Sequence, residues 1–176
     1  MANIYLLGFM GTGKTSAGKL LSQRLCWEFL DLDDLIEERE GLKIVEIFSQ
    51  KGEPYFRDLE TRILEEVAQK SKLIVACGGG VVLKEENLSL IENSGIGICL
   101  EASPEVIYER TKKFTHRPLL NVVDPQERIK ELLERRAKFY AKVKYHIDTS
   151  NLTVEEVAEK IEKLAKERLK VFKNGE

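Results

Sequence analysis

Eight residues hold the densest chemistry in this chain: Gly8-Phe9-Met10-Gly11-Thr12-Gly13-Lys14-Thr15. They follow the apolar run Ile4-Tyr5-Leu6-Leu7 and lead into a helical pattern at Ala17, Leu20, Leu21 and Leu25, so their context is strand, glycine loop, helix. A glycine-rich turn aims successive backbone N–H groups inward, and the helix beginning near Gly13 adds the positive end of its dipole. The result is an anion cradle. Gly11, Thr12, Gly13, Lys14, Thr15 and Ser16 are therefore the expected phosphate-binding residues. Lys14 supplies a point charge for the outer phosphates, and the Thr15 hydroxyl is suited to a phosphate-bound Mg²⁺.

Six further groups have the right types for chemistry on a phosphorylated nucleotide and a small acceptor. Asp31 and Asp33 close the strand predicted over Trp27 to Leu32, and period-two alternation points both the same way at its carboxyl end. Asp31 is placed to help hold magnesium. The apolar run Leu73 to Cys77 ends in Gly78-Gly79-Gly80, more glycine than a turn requires; a backbone without side chains lets a small substrate lie against it. On the long helix predicted from Asp124 to about Lys144, Arg136 shares the apolar stripe with Ile129, Leu132, Leu133, Tyr140 and Val143. An inward guanidinium needs an anion. Arg57, beside Phe56, is either a second such cation or a solvated partner of Asp58 or Glu60. Arg117 is a candidate mobile cation for the transferring group, and Arg110 a candidate to stack on a base or bind phosphate.

The elements that must position these groups alternate. Strands predicted at Ile4–Leu7, Trp27–Leu32, Leu73–Cys77, Ile96–Leu100 and around Ile147 are separated by helical patterns, including Asp34–Glu40, Ile44–Lys51, about Glu53–Lys70, Pro104–Lys112 and a terminal helix opened by Thr153 and Glu156. Most of the strands are apolar throughout, which implies an open parallel sheet with helices on both faces and the ligand crevice above the strand ends. Residues 113–123 have no clean period and read as a mobile loop.

Composition narrows the class. The chain has 176 residues, 33% of them charged, and a net charge of -2, which suits one soluble domain and gives no overall attraction to nucleic acid or anionic membrane. No apolar run approaches the roughly 20 residues of a membrane helix, and no signal-peptide pattern precedes the first strand, so a cytoplasmic protein is expected. Cys26, Cys77 and Cys99 have neither disulfide nor zinc spacing; the latter two read as small buried hydrophobes. From Arg110 to Lys144 there are eleven Lys or Arg against four Asp or Glu, a local excess that suits phosphates. A G protein would carry an Asn-Lys-x-Asp stretch, which is missing here.

Taken together, Gly8 to Thr15, Asp31-Leu32-Asp33, Glu53-Pro54-Tyr55-Phe56-Arg57-Asp58-Leu59-Glu60, Gly78-Gly79-Gly80, Arg117-Pro118-Leu119-Leu120 and Arg136 four residues before Tyr140 resemble the shikimate kinase family, in order and over nearly the whole chain. The resemblance implies a nucleoside-monophosphate-kinase-like fold: three α/β/α layers around a five-stranded parallel sheet of order 2-3-1-4-5. It also implies a lid at about 112–123, a substrate-binding helical region at about 33–61, and a monomer. The implied activity is transfer of the ATP γ-phosphoryl group to the 3-hydroxyl of shikimate. Carried over by residue, Arg57 and Arg136 hold the shikimate carboxylate, Gly78 to Gly80 line its pocket, and Asp33 orients or deprotonates the attacking oxygen. Lys14 and Arg117 neutralise the moving group, Thr15 and Asp31 serve Mg²⁺, and Arg110 lies near the adenine. Two departures leave these contacts intact: Ala137-Lys138-Phe139 replaces a usual Pro-Leu, and Thr15-Ser16 reverses a common Ser-Thr. A gluconate kinase of the same fold is the nearest rival, and a nucleotide-binding module without catalysis the rival of a different class.

Overall fold

The computed structural model describes residues 2–112 and 124–173. Five strands form one sheet: β1 Asn3–Leu7, β2 Glu28–Asp31, β3 Leu73–Ala76, β4 Gly95–Glu101 and β5 Tyr145–Asp148. All pairings are parallel and the order is β2-β3-β1-β4-β5, as the resemblance implies. The helices are α1 Lys14–Leu25, α2 Leu32–Glu40, α3 Ile44–Ala68, α4 Glu85–Ser94, α5 Pro104–Thr111, α6 Pro125–Tyr140 and α7 Val154–Lys173.

Strand alternation divides the core into two layers. On one face Ile4, Leu6, Ile74, Ile98 and Leu100 pack against Ala17 and Leu21 of α1 and Val157, Ile161 and Ala165 of α7. On the other, Tyr5, Leu7, Val75 and Cys99 pack against α2 to α6 through Ile36, Phe56, Ile63, Ile91 and Ile129. The central strand β1 is buried on both faces, so its polar side chains must be satisfied inside. Asn3 meets that demand by donating to the carbonyls of Val67 and Lys70 and accepting from the Leu73 amide at 3.1 Å, which fixes the start of β3 against β1.

Three boundaries differ from the sequence expectation, each for a local reason. Asp31 caps α2 by accepting from the Asp33 amide, so the helix begins at Leu32 and Asp33 lies in its first turn rather than on the strand. Gly52, at φ 81° and ψ 166°, is non-helical but lies within α3, so the two expected helices join end to end across a kink. α6 stops at Tyr140; the Val143 amide bonds back to the Tyr140 carbonyl at 2.9 Å, and Val143 is buried from a turn rather than from the helix.

Candidate active site

The carboxyl ends of β1, β2 and β3 meet at one crevice, as a parallel sheet requires. At β1 the chain leaves the sheet at Leu7 and turns through Gly8 to Gly13. A methyl at Gly8 would sit 2.1 Å from the Leu100 carbonyl oxygen of β4, so the loop can rest on the sheet only through glycine. Gly13 caps α1 at φ 96°, a left-handed conformation that glycine adopts without steric cost. The Lys14 ammonium folds back over this loop and donates to the carbonyls of Gly8 and Phe9, both at 2.8 Å. Buried Thr12 donates to Phe9 O at 2.8 Å, while Ser16 is exposed in the first turn of α1.

Asp31 couples this loop to Asp33. Its Oδ2 accepts from the Thr15 hydroxyl at 2.9 Å and its Oδ1 from the Asp33 amide at 3.1 Å. A hydroxyl beside a carboxylate at the mouth of a phosphate loop is the hard oxygen set that Mg²⁺ takes, so the residues present fit that ion. Arg110 approaches from α5. It donates to Gly11 O at 3.3 Å and to Thr149 Oγ1 and O at 3.0 and 2.8 Å, tying the loop to the segment after β5. The Thr149 hydroxyl lies 3.0 Å from Thr12 O and completes the tie.

The three glycines after β3 collect the remaining predicted residues, one each. A methyl at Gly78 would lie 2.7 Å from Asp33 Oδ1; at Gly79, 3.4 Å from Arg136 Nη1; at Gly80, 2.2 Å from Arg57 Nη1. Consecutive residues are about 3.8 Å apart along the chain, so Asp33 and both guanidinium heads converge on one short ridge. Arg136 is buried, as its place on the helical stripe predicts; it reaches Gly79 O at 3.4 Å and lies with its guanidinium carbon 5.7 Å from the Phe9 ring centroid. Tyr140, one turn further along α6, donates to the same carbonyl at 2.7 Å, and burial pushes its hydroxyl up to about 12. Arg135 is exposed, as its position round the helix predicts.

Sequence reasoning left Glu60 as a possible solvated partner of Arg57. It is fully buried. Its Oε2 accepts from Arg57 Nη1 at 3.0 Å, and its Oε1 lies beside Gly78 without a hydrogen-bond partner among the described residues. Burial raises the carboxyl to about 7, against the opposing pull of Arg57, and Asp33 nearby pushes the same way as burial. Glu53 holds the other edge of the Arg57 head, with Oε1 at 3.1 Å from Nη2, and Asp58 pairs instead with Lys84 at 2.7 Å. The guanidinium is thus aimed at Gly80 by two carboxylates and stacks 5.1 Å from the Phe56 ring. The signal for Glu60 was present in the sequence as its three-residue spacing from Arg57, but burial follows from a glycine eighteen positions away.

The crevice therefore unites Lys14, Thr15, Asp31, Asp33, Arg57, Gly78, Gly79, Gly80, Arg110 and Arg136. Arg117, His116 and the lid expected over 112–123 lie outside the described residues, apart from Lys112 in the turn that closes α5. Among the described residues no helix is long and apolar enough to cross a membrane.

Comparison with known proteins gives the family. The family model described as shikimate kinase matches residues 10–166. A shikimate kinase of Thermodesulfovibrio yellowstonii is 52% identical over 161 residues, covering 92% of this chain and 93% of that protein. Among solved structures, the shikimate kinase of Acinetobacter baumannii in complex with shikimate superimposes with a TM-score of 0.88 at 35% identity, covering 99% of this chain and 95% of that one. The shikimate kinase of Aquifex aeolicus gives 0.80 at 38% identity, covering 94% and 96%.

Proposed function

The chain belongs to the shikimate kinase family, and we propose that it transfers the γ-phosphoryl group of ATP to the 3-hydroxyl of shikimate, giving shikimate 3-phosphate and ADP on the route to chorismate. The observation that carries this assignment is the ridge at Gly78 to Gly80, where Asp33, Arg136 and Arg57 converge within reach of the phosphate loop.

Each residue has a role that its chemistry supports. Arg57 and Arg136 grip the shikimate carboxylate, and a guanidinium offers that group two parallel donors. The ring lies on the glycines, where a side chain would exclude it. Asp33 accepts from the ring hydroxyls, fixes the direction of attack and receives the proton that the hydroxyl loses. Gly11, Thr12, Gly13 and Ser16 cradle the phosphates, and Arg110 lies against the adenine end. Thr15 and Asp31 would hold Mg²⁺, which when bound would neutralise phosphate charge. Lys14 and Arg117 stabilise the charge that shifts from the γ-phosphoryl group to the leaving oxygen, the largest contribution available in a transfer with so loose a transition state.

Two coarser assignments accompany these. Buried Cys77 and Cys99 suit a reducing compartment, and we assign the protein to the cytoplasm; the family resemblance implies a monomer. The deciding experiment couples ADP release to a colour reaction with purified protein, ATP, Mg²⁺ and a panel of shikimate, gluconate and nucleoside monophosphates. Turnover with shikimate well above the ATPase background is expected; equal background with every acceptor refutes the assignment.

A further inference from the structure

Three side chains at the sheet edge take no part in phosphoryl transfer, yet the register brings them together. Alternation along β4 sets Cys99 and Glu101 on one face, and His146 of β5 pairs directly with Cys99. Their ligating atoms all lie within 4.8 Å of one another. Cys99 forms a buried floor, whereas the His146 and Glu101 side chains are 31% and 50% exposed, so the cluster opens toward solvent.

The imidazole is already oriented. Nε2 lies 2.6 Å from the Val143 carbonyl, an acceptor that only an N–H can satisfy, and this assigns the proton to Nε2. Nδ1 then presents its lone pair to Glu101 Oε1 at 2.8 Å. Two acceptors at that separation require a proton or a cation between them. A ring whose far N–H is held by a backbone carbonyl is also how proteins fix a metal-binding histidine.

We propose that Cys99, Glu101 and His146 form a binding site for a divalent transition metal of the Zn²⁺ type, separate from the Mg²⁺ site at the phosphate loop. One thiolate, one imidazole and one carboxylate are a borderline-soft donor set that favours Zn²⁺ over Mg²⁺, and three protein ligands leave a fourth position for water. Binding transfers the Cys99 thiol proton to solvent as the metal–sulfur bond forms. Because that proton is released on binding, affinity increases with pH. The ion would clamp the edge strand β5 to β4 and, through Val143, to the turn that follows α6.

The test uses the full chain carrying Cys26→Ser, which removes the exposed thiol. Metal-free protein is titrated with Co²⁺ alone, followed by competition with Zn²⁺ and Mg²⁺, and melting temperature is recorded with and without Zn²⁺. We expect one equivalent of Co²⁺ with a thiolate charge-transfer band and tetrahedral d–d bands, displaced by Zn²⁺ and not by Mg²⁺. Cys99→Ser should abolish the charge-transfer band. His146→Gln, at an exposed position that leaves folding intact, should weaken binding at least about tenfold and remove the Zn²⁺-induced rise in melting temperature. Absence of the thiolate band, or Co²⁺ affinity unchanged by His146→Gln, overturns the site and leaves a proton as the bridge between His146 and Glu101.

Discussion

Replacing Glu60 by Gln should make the protein more stable than wild type at pH 8 by an amount that disappears at low pH. The carboxyl is fully buried, and its titration is raised from an ordinary 4.5 to about 7, chiefly by burial. Between those two values the folded chain keeps a proton that the unfolded chain has released. Stability therefore falls as pH rises through that window, and is fully present only below the unfolded value. At about 1.36 kcal/mol per pH unit the whole displacement corresponds to about 3 kcal/mol, of which roughly 2.5 kcal/mol falls between pH 5 and pH 8. Glutamine has no charge to bury and nearly the same shape, and every other titrating group is common to both proteins. Urea unfolding of wild type and Glu60→Gln at pH 5 and pH 8 isolates the difference. The stability gap should move in favour of Gln by about 2 to 3 kcal/mol on going to pH 8. A gap independent of pH, or one that moves the other way, would show that Glu60 is not the desolvated group its surroundings imply.

Three further outcomes follow from the crevice. Arg136→Ala should weaken shikimate binding by about 2 to 3 kcal/mol, roughly 30- to 150-fold in Kd, because the substrate carboxylate loses its partner; calorimetry with ATP should detect little change, and equal losses for both ligands would contradict the role. Asp33→Asn should lower kcat at least about 100-fold with the circular dichroism spectrum retained; a near wild-type rate removes Asp33 from the mechanism. In Gly80→Ala the new methyl would sit 2.2 Å from Arg57 Nη1, so the guanidinium must swing aside. The KM for shikimate should increase about tenfold with the KM for ATP unchanged, since 1 to 2 kcal/mol of binding is about what a displaced charged hydrogen bond costs.

The phosphate loop was legible because it is local: a strand, a glycine turn and a helix announce themselves in sequence, and the crevice of a parallel sheet must lie at the strand ends. The strand order, which sets β3 and β4 on either side of β1, came only from the family resemblance. Arg136 was legible because helical periodicity alone turned it inward. What escaped depended on side-chain contacts that periodicity does not report. Asp33 was assigned to a strand by alternation, yet the Asp31 side chain captures its amide and starts the helix two residues early. Glu60 resembled half of a surface ion pair, because nothing near it in sequence reports that Gly78 leaves room for a buried carboxyl. Cys99, Glu101 and His146 were scattered residues until the β4–β5 register aligned them.

The grip of Lys14 on the carbonyls of its own loop bears on how its removal should be interpreted. With both oxygens held by one ammonium, the side chain serves as a latch that keeps the loop's curvature. Lys14→Met would slacken the frame as well as delete a charge. The rate lost in that variant sums two effects, and an arginine or ornithine analogue, which keeps a donor in place, is the comparison that separates them.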